Sequence, residues 1–221
     1  MSRLALFLAL LAVGFGTRTD AAPITVFFTG SVILVDDPGS RLDGSITVGT
    51  PFSGSLSYDP AALADTLPDP SEGAYYPDPA DFSFSVVIGS YSLAYDSGSA
   101  GLVEIGVHDN APLFLHDTYN VVPNGLTGLE SIAGLVDSSL QVFLGDSTQT
   151  ALTSDSLSAV PLTTAAWDLR SFLLDLRVDA PSLSEASVEG DIEFLAVPEP
   201  EGGLLLALGG AAALAAARRR D

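Results

Sequence analysis

The 221-residue chain has no cysteine, and no lysine appears anywhere in it; methionine and tryptophan occur once each and histidine twice. Without thiols there is no disulfide, no thiolate metal ligand and no cysteine nucleophile, so the fold must be held together without covalent cross-links. Without lysine there is no Ser-x-x-Lys dyad, and the sequence also lacks a Gly-x-Ser-x-Gly nucleophile elbow. Eight arginines face 28 acidic residues, a formal net charge of −20. Nucleic acid and anionic headgroups both need cationic contacts, so a chain this acidic is a poor partner for either. The balance suits solubility, calcium binding or a salty medium that screens self-repulsion.

A helical period is also missing. Between residues 22 and 196 apolar residues nowhere repeat every 3.6 positions for three turns, and only Thr163–Leu174 is ambiguous, where Ala165, Ala166 and Trp167 fit a short helix. What is present is alternation, the mark of half-buried strands. Ile24, Val26 and Phe28 alternate with Thr25 and Phe27, and Phe82, Phe84, Val86 and Ile88 form the cleanest run. Gly89-Ser90 then turns the chain into Tyr91, Leu93 and Tyr95, a hairpin signal. Further strands are expected at Ser45–Tyr58, Leu102–Val107, Leu113–Leu115, Thr118–Val122, Leu140–Leu144, Ser171–Arg177 and Ser187–Ala196. Asp37-Pro38-Gly39, Asp96-Ser97-Gly98, Asn124-Gly125 and Gly145-Asp146 punctuate them as turns. About ten short strands with no helical layer predict an all-β, two-sheet antiparallel β-sandwich of Greek-key or jelly-roll kind.

Three constellations are candidates for chemistry. The first is the proline-rich acidic loop holding Asp59, Asp65, Asp69, Glu72, Asp78 and Asp81. Calcium takes six to eight oxygen ligands, but this spacing matches no EF-hand, and prolines scatter carboxylates rather than gather them. The second is His108-Asp109 with His116-Asp117, which would make a zinc set if a hairpin brought the imidazoles together. The third is a pair of carboxylates for glycoside hydrolysis; among so many acids the sequence nominates none, so no catalytic residue is named. For sugar stacking the aromatic candidates are Tyr75, Tyr76, Tyr91 and Trp167, and Trp167 reads better as core or sheet edge.

The two ends carry the plainest signals. Arg3 precedes an apolar core, Leu4–Phe15, and a small-residue segment ending Ala21-Ala22, the pattern of a secretory signal peptide over 1–21 with cleavage after Ala21. At the other end, residues 197–221 comprise Val197, Pro198, Glu199 and Pro200, an uncharged run at 202–217, then Arg218, Arg219 and Arg220. Sixteen helical residues span about 24 Å at ~1.5 Å each, slightly short of a hydrocarbon core of roughly 30 Å. Composed mostly of alanine and glycine, such a transmembrane helix inserts weakly, as suits a temporary anchor. The arginines hold their end in the cytoplasm, and the prolines keep the motif extended just outside the bilayer.

This three-part order resembles the PEP-CTERM sorting signal of Gram-negative bacteria, with Glu201 and Asp221 departing from the usual pattern. The VGTPFSGSLSYDP segment (Val48–Pro60) also resembles a stretch of other proteins carrying that signal. The resemblance implies a substrate of the membrane enzyme exosortase, exported by the general secretion machinery and signal peptidase, held transiently in the inner membrane and cut near Val197–Pro200. It further implies a place in the envelope or extracellular matrix, linked with exopolysaccharide and biofilm. The expected domain, 22–196, is then a secreted, non-enzymatic structural or adhesion module without a cofactor. A carbohydrate- or calcium-binding module is the alternative, and a secreted hydrolase the third.

Overall fold

The computed structural model describes residues 23–98, 101–110, 116–178 and 184–198. Ala21, Glu199, Pro200, the run 202–217, Arg218, Arg219, Arg220 and the strand expected at Leu113–Leu115 lie outside the described residues. Eleven strands form: β1 (Ile24–Asp36), β2 (Pro51–Tyr58), β3 (Glu72–Tyr75), β4 (Ser83–Ile88), β5 (Tyr91–Tyr95), β6 (Val103–His108), β7 (Asp117–Pro123), β8 (Leu126–Thr127), β9 (Leu135–Asp146), β10 (Leu169–Val178) and β11 (Ser184–Ala196). Among the described residues there is no α-helix, only two 3-10 turns, at Leu157–Ala159 and Thr164–Ala166. The ambiguous stretch therefore gives one 3-10 turn and then β10, where Phe172, Leu174, Leu176 and Val178 alternate into the core. Ser45–Thr50 is loop and turn, so that expected strand begins only at Pro51.

The strands make one antiparallel ladder, ordered β3-β6-β7-β9-β10-β11-β1-β2-β4-β5-β8, where two separate sheets were expected. The join is long: β1 and β11 pair from Phe27↔Ala196 to Asp36↔Ser187. Curling replaces the second sheet. Tyr119 of β7 donates a hydrogen bond of 3.1 Å to the Tyr58 hydroxyl of β2, although five ladder steps separate the two strands. On a flat sheet those steps would put them about 24 Å apart, at ~4.8 Å per step. The ladder is a curled half-barrel whose two flanks face each other across one core.

The bend lies at β11 and β1, and sequence explains it. Two register shifts interrupt the pairing, between Thr29 and Gly30 and between Val32 and Leu34, and bulges of this kind sharpen curvature. Gly30 and Gly190 leave the inner floor bare there, and a Cβ on either would run into the Phe52 ring. Phe52 lies across the gap and stacks on Phe172 of β10 with centroids 4.7 Å apart. Asn124–Thr127 stitches the flanks at one end. Asn124 bridges to Ser139 of β9, the Gly125 N–H donates to the Ser138 carbonyl, and Leu126 pairs with Tyr95 of β5.

Both ladder edges are blunted, as an exposed row of unpaired backbone groups invites aggregation. Edge strand β8 has only two residues. On β3, the Asp65 carboxylate accepts the Ala74 N–H at 3.0 Å, while Thr66 donates its N–H and hydroxyl to the Ala74 carbonyl at 3.0 and 2.9 Å.

Candidate functional site

The segment between β2 and β4, which includes β3, holds all six acidic candidates, and the fold divides them. Asp59, Asp78 and Asp81 line a cleft of about 350 Å³ with Leu63, Thr66 and Tyr76. Asp65 is turned onto the edge of β3, and Glu72 pairs in register with His108 across β3 and β6. Asp69 serves its own turn, its carboxylate accepting the Ser71 N–H at 2.9 Å and hydroxyl at 2.8 Å. Those two bonds, the backbone one first, hold its carboxyl below the ordinary range. Among the described residues, no three His, Asp or Glu side chains converge to hold a metal ion. The fold spreads these carboxylates over a cleft, a strand edge, a ladder pair and a turn.

Most of these aspartates build turns. Asp59, Asp69 and Asp78 each precede a proline and accept the N–H two residues on, from Ala61, Ser71 and Ala80. Asp43, Asp65, Asp96 and Asp146 make the same bond to Ser45, Leu67, Gly98 and Thr148. A carboxylate that closes an Asx turn takes up a backbone donor in place of a turn carbonyl, and proline fixes φ behind it. A large part of the acidic composition is loop architecture.

The histidine pair fares similarly. His108 ends β6, where burial lowers its pKa against the opposing charges of Glu72 and Glu104. Asp117 is wholly buried, and both its oxygens are engaged: Oδ1 accepts the Asn110 N–H at 3.1 Å and Oδ2 the Leu152 N–H at 2.9 Å. It fastens two loops. Directly across the ladder sits Asp146, also buried, at the end of β9 where the expected turn begins. Burial alone would raise its carboxyl, but bonds from Thr148, Thr150 and Ala151 overcome that and hold it far below the usual range. The Asp-x-Thr-x-Thr spacing at 146–150 is the signal that would have found it.

Of the aromatic candidates, Tyr75, Tyr91 and Trp167 are buried. The Tyr75 hydroxyl donates to the Asp155 carbonyl, and Trp167 Nε1 donates to the Pro161 carbonyl at 2.8 Å, which makes both core residues. Tyr76 alone is exposed, at 49%, and it stands at the Asp59–Asp78–Asp81 cleft. An open aromatic ring beside three carboxylates can stack a sugar face and accept its hydroxyl hydrogens. A second cleft, about 280 Å³, lies on the outer face, with Asp137, Asp175 and Glu185 around Arg177. Burial and then the Glu185 charge raise the Asp175 carboxyl.

The sorting motif enters the described residues only at Val197 and Pro198, both exposed just past the end of β11. Because β11 runs antiparallel to β1, Pro198 emerges at the same end of the sheet as Pro23. The two ends of the domain leave side by side. Comparison with known proteins finds no matching family model, no matching curated protein and no matching solved structure.

Proposed function

We propose that this chain is an exported envelope or extracellular-matrix protein of a Gram-negative bacterium, delivered by a PEP-CTERM-type signal and trimmed by exosortase. Its body, 22–196, acts as a non-enzymatic structural or adhesion module associated with exopolysaccharide. In fold terms the two flanks of the curled sheet serve as the layers of a Greek-key or jelly-roll-like sandwich that share one ladder.

The observation that carries the proposal is the three-part order at 197–221: motif, uncharged run and terminal arginines. The exit of β11 beside β1 supports it. A domain whose two ends leave at one pole is compatible with a signal peptide at one end and a membrane tail at the other. The acidic turns, saturated with local hydrogen bonds, suit a scaffold that must stay soluble without disulfides. Expression in paired cells, with and without exosortase, tests the proposal. Loss of the tail only where the protease is present is expected; tails of equal length in both cells reject it.

One observation favours the second reading, a carbohydrate-binding module: the exposed Tyr76 ring at the Asp59–Asp78–Asp81 cleft. Tyr76→Ala would then abolish retention on a polysaccharide column while leaving the melting temperature unchanged. For calcium, EDTA should lower the melting temperature, and an unchanged melt removes the ion.

A further inference from the structure

One Asp-Pro turn recurs three times between β2 and β4, at Asp59-Pro60, Asp69-Pro70 and Asp78-Pro79. In each, the aspartate Oδ1 accepts the N–H two residues on, and its carbonyl accepts the N–H three residues on. Proline fixes φ inside the turn, so the carboxylate is held in one place. The first and third turns line the cleft of about 350 Å³ at which Tyr76 stands exposed. An adjoining cleft, of about 390 Å³, shares Asp59, Ala62 and Asp81 with it and runs on to Ser57, Ser83 and Pro23. The two make one groove, and each alone is within the roughly 300–1,000 Å³ of ordinary ligand sites. Tyr76 is set outward by its neighbours, since Tyr75 before it and Pro77 after it are buried. No arginine or histidine lines either cleft.

We infer that this groove takes a linear glycan bearing free amino groups, with one sugar stacked on Tyr76 and its ammonium groups set against Asp59, Asp78 and Asp81. The inference rests on the polysaccharide association proposed above and names the class of sugar. The open ring supplies the apolar face on which a pyranose stacks. Charge then selects among glycans. A chain of net charge −20, with carboxylates and no cation in the groove, repels uronate or sulfate polymers. An uncharged sugar uses the carboxylates only as acceptors for its hydroxyls, whereas an ammonium makes the stronger, charge-assisted bond. A single metal ion is a poorer occupant, because among the described residues no three His, Asp or Glu side chains converge. Carboxylates spread along a groove suit charges repeated along a polymer. The proline-braced turns add affinity, since these loops are ordered before the ligand arrives.

Titration of the protein, in the form its cells release, with three oligosaccharides of equal length tests this: a glucosamine hexamer, its N-acetylated counterpart and a galacturonate hexamer. The glucosamine hexamer should bind at least about tenfold tighter than the acetylated one, and the galacturonate not at all. Raising salt from about 20 to about 500 mM should erase most of that advantage. Asp81→Asn, at an exposed position, should weaken glucosamine binding at least about threefold and leave the acetylated hexamer unaffected. Tyr76→Ala should weaken both. Asp137→Asn, which removes the same charge from β9, should change neither. Equal affinity for the glucosamine and acetylated hexamers overturns the inference and leaves the polysaccharide reading standing. So does a preference for galacturonate. A loss from Asp137→Asn as large as that from Asp81→Asn overturns it too, since the whole acidic surface then attracts the amine. Binding of none of the three overturns the inference, and retention of the parent on a polysaccharide column then shows separately whether the broader reading stands.

Discussion

Strands β9, β10 and β11 carry nine charged residues, seven of them acidic, whereas β1, β2, β4 and β5 together carry only Asp36. Inward, the flanks are alike: Phe28, Leu56, Phe84 and Leu93 on one side meet Val142, Phe172, Leu174 and Val188 on the other, all but fully buried. The difference is confined to residues pointing out. A half-buried strand constrains only alternate positions, so the outer face is free to be written for another purpose. Here one flank carries most of the charge on the strands, and the other carries little.

Breaking the seam between flanks should have the largest effect. Phe52→Ala removes the ring that covers Gly30 and Gly190 and stacks on Phe172, and it should cost about 4 kcal/mol in chemical denaturation. Next comes Asp117→Ala, which leaves the Asn110 and Leu152 N–H groups without their acceptor on the acidic flank. Equilibrium denaturation should show a loss of about 3 kcal/mol. Tyr119→Phe deletes one flank-to-flank hydrogen bond and should cost about 1 kcal/mol.

The seam between the flanks and the buried carboxylate of the acidic flank answer differently to pH. Burial pushes the Tyr58 hydroxyl up to about 12, the Tyr119 bond opposing it, and burial raises Tyr119 further. Tyrosines in the unfolded chain ionise near 10. Their contribution is therefore complete below pH ~10 and is lost as pH climbs toward about 12, which Tyr119→Phe should blunt in a melting series. Asp146 works in the opposite sense. Its stabilisation is present above the unfolded carboxylate value, ~3.9, and drains away as pH falls below it. Asp146→Asn should flatten that acid limb. The smallest effect sharpens the comparison most: Val87→Asp and Val136→Asp should each change stability by less than about 0.5 kcal/mol, as exposed substitutions do.

Strand existence was legible wherever alternation ran for several residues, as in Phe82–Ile88 or Ile24–Phe28, because period-2 burial is a local property. β3 and β8 escaped notice. Glu-Gly-Ala-Tyr and Leu-Thr are too short to alternate, and they exist through partners distant in sequence, His108 and Tyr95 among them. The join of the halves escaped as well, since it rests on two glycines and two bulges that meet only after β1 and β11 pair. Of the candidate sites, the acidic loop was visible by composition, yet its aspartates act on their own backbone, a role that composition does not distinguish from metal binding. The charge-poor flank was countable residue by residue, and became a surface only once register had aligned it.

Intact-mass measurement of the protein from its native envelope tests the assignment of the two ends most directly. The expected mass lacks residues 1–21 and everything beyond the Val197–Pro200 region, apart from any attached group. A mass that retains Arg218, Arg219 and Arg220 in cells that contain exosortase would contradict it.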